Sequence, residues 1–160
     1  MDEVGRGCLA GPMTACAAVF TGQNTMNNLR DSKKLSRKQR GKIFQELIEA
    51  KVEFVVEEIS VEEINKFGIG WANVEIFRRL KRRVWADKYV VDGNLKIEGA
   101  ESMVDADEKV AEVMAASIIA KVTRDRQMIK LHSEHTIYGW DRNVGYGTRE
   151  HIEAIRKYGM

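Results

Sequence analysis

The order of apolar and polar positions along the chain predicts strands interleaved with helices. Residues 12–20 (PMTACAAVF) are continuously small or apolar, a run too short for a core helix and right for a strand buried on both faces. The polar stretch 21–30 reads as a loop. At Ser36 the period changes: Ser36 and Gln39 have capping-box spacing, and Ile43, Phe44, Leu47 and Ile48 recur at helical intervals. Residues 51–60 return to β-branched and aromatic side chains and predict a second strand. A second helix is expected over residues 70–86, where Trp71, Val74, Phe77, Leu80 and Val84 lie three or four apart. Arg78, Arg79, Lys81, Arg82 and Arg83 give this helix a basic outer face. Residues 89–93 form a short buried strand that stops at Asp92, the position where open α/β sheets place functional groups. A third helix is expected from about Lys109 to Lys130, with Val110, Val113, Met114, Ser117, Ile118 and Val122 along one side. A last helix runs from its N-cap Thr148 to Tyr158. With no internal repeat and no linker, the alternation gives one α/β domain over residues 1–160.

A chain of 160 residues is long enough to bury roughly two-thirds of the surface its unfolded form exposes, so a single packed core is expected. The net charge of +2 comes from 26 Lys+Arg against 24 Asp+Glu. A polyanionic partner must therefore be met through local clusters rather than bulk charge. Cys8 and Cys16 lack metal-ligand spacing and suit buried thiols in a reducing compartment, without a disulfide. No run approaches the ~18 apolar residues of a membrane span, and no leader pattern is present. The expectation is a cytoplasmic monomer with no membrane partner.

Four acidic positions carry candidate chemistry: Asp2 and Glu3 at the start, Asp92 at a strand end, and Asp107 ahead of the third helix. Carboxylates gathered at one sheet edge repel and raise each other's pKa unless cations sit between them, and hard divalent ions with oxygen ligands are the natural counter-charge. Singly, each has an ordinary use. Asp2 and Glu3 suit an exposed terminus, Asp92-Gly93 suits a turn, and Asp105 and Asp107 both stand where a helix cap belongs.

Five blocks together are more specific: MDEVGRGCLAGPM (1–13), DSKKLS (31–36), VVDGN (90–94), DEKVAEVMAASIIAKVTRD (107–125) and GYGTREH (145–151). In this order and spacing the chain resembles ribonuclease HII, the type 2 ribonuclease H family. The resemblance implies a ribonuclease H-like α/β fold, a mixed central sheet flanked by helices, with four carboxylates at the sheet edge. It implies Asp2, Glu3, Asp92 and Asp107 as catalytic metal ligands and two Mg²⁺ or Mn²⁺ ions as cofactors. Asp107 is chosen because it lies ten residues before Ser117, and Asp105 is assigned to capping. The implied substrate is the RNA strand of an RNA/DNA hybrid, including a single ribonucleotide embedded in duplex DNA, cut on its 5′ side to leave 3′-hydroxyl and 5′-phosphate ends. Gly5, Arg6 and Gly7 would read the ribonucleotide, since glycines let the backbone approach a sugar and the 2′-hydroxyl distinguishes RNA from DNA. Tyr146 would stack on the following sugar, and Lys33 and Lys34 would contact phosphates.

Other polar positions receive plainer assignments. Ser117 is given a structural role, Lys121 is left open, and His132, His135 and His151 are expected at the surface. Only Met1 precedes Asp2 and the chain stops at Met160, before the family's HR-x-SF segment, so the catalytic domain is read as shortened at both ends, with a charged terminus beside the acids. A competing expectation is a relative that binds hybrid duplex without cutting it, through Arg6, Tyr146 and the basic helix face.

Overall fold

A computed structural model describes residues 1–21, 29 and 32–160. The loop expected over 21–30 therefore lies mostly outside the described residues. Strands β1 (Asp2–Val4), β2 (Met13–Val19) and β3 (Glu53–Ile59) form an antiparallel sheet with β2 in the middle, Asp2 standing opposite Cys16. Strands β4 (Val90–Asp92) and β5 (Glu101–Met103) pair in parallel. Met1 joins the two: its ammonium donates to Val90 O at 2.7 Å, and the Asp92 amide donates to Met1 O at 3.1 Å. This alternating exchange is the parallel pattern, so the order β3-β2-β1-β4-β5 makes one mixed sheet, as expected.

The helices are α1 (Arg37–Glu49), α2 (Val61–Phe67), α3 (Ile69–Arg83), α4 (Ala106–Lys109), α5 (Ala111–His132), α6 (Trp140–Asn143) and α7 (Arg149–Tyr158). They cover β2 on both faces, which explains its uninterrupted apolar run. Met13, Ala15 and Ala17 point to a core shared with Ile76, Phe77 and Leu80 of α3. Cys16 points the other way, against Leu47 of α1 and Ala115, Ala116, Ile119 and Ala120 of α5. Successive residues of a strand face opposite sides, and the alanines let α5 lie close on the sheet.

Several elements escaped the sequence patterns. The Ser36–Gln39 capping box starts α1 as expected, but a second box, Ser60 with Glu63, starts the unforeseen α2. The third helix breaks at Val110, whose extended backbone (φ −117°, ψ 117°) separates α4 from α5. The basic face of α3 is also less basic than its sequence suggests. Arg79 pairs with Glu63 (2.6 Å) and Glu75 (3.4 Å), Arg82 with Glu75 (2.9 Å), and Arg83 with Glu57. Two of those glutamates come from β3 and α2, so helical periodicity alone did not reveal them. Among the described residues no helix is long and apolar enough to cross a membrane.

Arg124 of α5 ties the loops to the core. Its side chain is fully buried and donates to Pro12 O (2.8 Å), Val144 O (2.8 Å) and Ala10 O (3.0 Å). A buried charge is tolerated only when its donors are paired, and here one guanidinium serves carbonyls from two loops. Arg124→Met keeps the apolar stem and leaves those three acceptors unpaired. It is expected to lower unfolding free energy by about 3–5 kcal/mol, read from urea denaturation, because each lost partner of a buried polar group costs ~1–3 kcal/mol.

Candidate active site

The parallel exchange at Met1 sets Asp2, at the start of β1, beside Asp92, at the end of β4. Behind them α5 supplies Ser117, whose hydroxyl lies 2.8 Å from Ser32 Oγ. Ser32 belongs to a 3-10 turn, Ser32–Lys34, that carries Lys33 toward the acids. The result is a cleft of about 300 Å³ lined by Asp2, Glu3, Asp92, Gly5, Arg6, Gly7, Lys33 and Tyr146, together with Ser32, Arg40, Ser117 and Lys121. Residues from five separate stretches of chain meet there.

Eight of the ten site residues chosen from sequence line this cleft. Asp107 lies just behind it: its side chain is buried and its Oδ2 is 2.8 Å from Lys33 Nζ. Lys34 is directed to Glu108, at 3.5 Å. Among the described residues no three carboxylate, imidazole or thiol groups close on one point. Protein donors engage the acids instead. Asp92 Oδ1 accepts from the Ala106 amide (2.7 Å) and the Asp107 amide (3.4 Å), and Asp2 Oδ1 accepts from the Glu3 amide (2.8 Å). Asp92 thereby performs the capping assigned to Asp105. Asp105 occupies the N-cap position of α4 at φ 58° but makes no side-chain cap bond, because its left-handed backbone does not present the carboxylate to the amides.

The cleft holds its acids at an electrostatic cost. Asp2 is pushed up to about 6, by burial first; the nearby Ser117 hydroxyl opposes the rise, while the Asp92 and Asp107 charges add to it. Glu3 is pushed up to about 7 by burial, then by Asp2 and Asp92. Lys33 is raised through its hydrogen bond to Asp107. Asp107 Oδ1 is buried with no hydrogen-bond partner among the described residues. An all-oxygen, anionic donor set with an orphaned buried oxygen fits a hard divalent cation, and Asp2, Glu3, Asp92 and Asp107 are the residues present to hold one.

Gly5 and Gly7 separate into two kinds. Gly5 has φ +100°, and a Cβ there would stand 2.5 Å from Arg124 Nε and 2.8 Å from Pro12 O, so the fold itself demands glycine. At Gly7 a Cβ would meet nothing within 4 Å among the described residues. Tyr146 is partly buried, with Lys121 Nζ 5.0 Å and Arg124 Cζ 5.9 Å from its ring centroid. Burial pushes its phenol up to about 12.

Sequence reasoning passed over Arg40 and Arg124 and undervalued Ser117. Ser117, Lys121 and Arg124 stand four and three residues apart on α5, Ser117 and Lys121 within its apolar stretch, and this polar stripe was the available signal. Arg40 offered none. It donates to Ser32 O at 3.0 Å and lies 3.9 Å from Asp125, holding the turn that presents Lys33. The surface role expected of His151 is also corrected: the residue is fully buried beneath Tyr146, because α7 packs its first turn against the 136–146 segment.

Raised carboxylate pKa values make stability depend on pH in a definite direction. Relative to unfolded values near 4, the contribution of Asp2 and Glu3 is fully present below about pH 4 and is lost as pH rises through about 6 and 7. In chelator, the melting temperature is expected to fall between pH 5 and pH 8 more steeply for the parent protein than for Asp2→Asn. Equal slopes in calorimetry would contradict the burial argument.

Known proteins resemble this chain over its whole length. The sequence model described as Ribonuclease HII matches residues 1–160. The ribonuclease HII of Wolbachia sp. subsp. Drosophila simulans (strain wRi) is 42% identical over 166 residues, covering 100% of this chain and 83% of that one. The ribonuclease HII of Endomicrobium trichonymphae is 37% identical over 166 residues, covering 100% and 79%. Among solved structures, the ribonuclease HII of Archaeoglobus fulgidus in its PCNA complex superposes with a TM-score of 0.84 at 25% identity, covering 98% of this chain and 84% of that one. With the family match spanning every residue and the fold shared, the chain belongs to the ribonuclease HII family and is an endoribonuclease of the ribonuclease H type.

Proposed function

We propose that the enzyme hydrolyses the RNA strand of RNA/DNA hybrids and cuts at single ribonucleotides embedded in duplex DNA, on their 5′ side, giving 3′-hydroxyl and 5′-phosphate ends. The observation that carries this reading is the convergence of Asp2, Glu3 and Asp92 in one cleft with Gly7 and Tyr146 at its wall. When bound, a pair of Mg²⁺ or Mn²⁺ ions held by Asp2, Glu3, Asp92 and Asp107 supplies Lewis-acid stabilisation of charge at the scissile phosphate.

The chain's own groups supply recognition. Among the described residues nothing requires glycine at residue 7, which supports a requirement from outside: a side chain there would stand between the loop backbone and a sugar. Arg6 on the same loop and Lys33 on the 3-10 turn bring positive charge to the cleft for backbone phosphates. The Tyr146 ring, held by Lys121 and Arg124, offers a flat apolar surface on which a deoxyribose can rest. The Glu3 amide fixes Asp2 while the α4 amides fix Asp92, so the two central acids keep their orientation as substrate enters.

Cleavage of a DNA duplex bearing one ribonucleotide, with Mg²⁺ or Mn²⁺, tests the assignment. Asp92→Asn is expected to lower kcat by about a thousandfold or more while duplex binding persists. Undiminished cutting would remove Asp92 from the site. Gly7→Ala is expected to raise KM for the same duplex with a melting temperature within ~1 °C of the parent, since exposed substitutions usually change stability by less than ~0.5 kcal/mol. Gly5→Ala is expected to unfold at clearly lower temperature, because it combines a positive φ with a clash against Arg124.

A further inference from the structure

We infer that His151 is the positioning residue that sets Tyr146 at the wall of the cleft, with the Trp140 indole selecting the histidine tautomer that does so. The inference rests on the proposed reading of Tyr146 as a substrate contact.

His151 lies in the first turn of α7 and is fully buried. The Trp140 Nε1–H donates to His151 Nε2 at 3.1 Å. An indole nitrogen can only donate, so Nε2 must accept and the ring proton resides on Nδ1. That nitrogen lies 2.9 Å from Tyr146 O and donates to it. The same carbonyl accepts from the Thr148 amide at 2.8 Å, and the Tyr146 amide donates to Asn143 O at 2.9 Å. Three hydrogen bonds thus fix the peptide groups on either side of the Tyr146 Cα, and with them the Cα–Cβ bond from which the ring is presented to the cleft, where Lys121 and Arg124 hold it. Trp140 is itself braced by stacking on Tyr138, with ring centroids 5.2 Å apart. Neither His151, Trp140 nor Tyr138 lines the cleft. Their effect on substrate therefore passes through Tyr146, and the imidazole does not touch the reacting atoms.

Steady-state cleavage of a DNA duplex with one ribonucleotide, by the Mg²⁺-loaded enzyme, separates this role from a merely structural one. His151→Leu is expected to raise KM about five- to tenfold, the size of one lost hydrogen bond, while kcat stays within about twofold. His151→Asn, which keeps an N–H donor near the Nδ1 position, is expected to restore most of the loss. In a Tyr146→Ala background, His151→Leu is expected to add nothing, because the group it positions is gone. A full additional loss in that background, or a parent-like KM for His151→Leu alone, overturns the proposal. A parent-like KM for Tyr146→Ala instead overturns the reading of Tyr146 on which the proposal rests. The tautomer is tested without any variant: ¹⁵N NMR of the parent protein is expected to show the His151 proton on Nδ1, and a proton on Nε2 overturns the assignment.

Discussion

The site depends first on how one buried guanidinium is satisfied. Arg124 sits at the core end of the polar stripe on α5 and draws Ala10, Pro12 and Val144 to itself through their carbonyls. Those carbonyls belong to the loop that carries Gly5, Arg6 and Gly7 and to the turn that carries Tyr146, regions more than 130 residues apart in the chain. A flexible pair of loops would lose much of its binding free energy in becoming ordered, whereas loops anchored to a helix meet a substrate already in place. The glycines at positions 5 and 145 follow from the same close packing, since a Cβ at either would strike Arg124 or the Ala10 carbonyl.

The carboxylates express the opposite tendency. Burial raises Asp2 and Glu3, and neighbouring acids raise them further. Such repulsion opposes folding and favours cation binding, which is why it persists where chemistry needs it. The fold limits the cost with donors of its own: α4 amides for Asp92, the Glu3 amide for Asp2 and a lysine for Asp107. The short α4 owes its position to this arrangement, with its first amides facing a carboxylate from β4 rather than from its own N-cap.

Charge elsewhere is mostly spoken for, which bears on how nucleic acid is met. Three of the four arginines that gave α3 a basic appearance, Arg79, Arg82 and Arg83, are paired with Glu63, Glu75 and Glu57, which leaves the helix a much weaker polyanion-binding face than its sequence suggests. Positive groups at the cleft have the better geometry. Arg6 borders it directly, Lys33 stands at its edge against Asp107, and Lys121 borders it while pairing with Asp125 at 2.8 Å. Local placement, rather than a net charge of +2, distinguishes this surface.

Periodicity and capping chemistry were sufficient for β2, β3, α1, α3 and α7, because burial on one or both faces and an N-terminal cap are local properties of a sequence. The five motif blocks also pointed to the fold and to most cleft residues, through their resemblance to the ribonuclease HII family. Tertiary structure decided the rest. The pairing of Met1 with β4, the trans-cap from Asp92 to α4, the glutamates that neutralise α3 and the burial of His151 all join residues distant in the chain, and no local pattern encodes which distant partner will satisfy a buried hydrogen-bonding group.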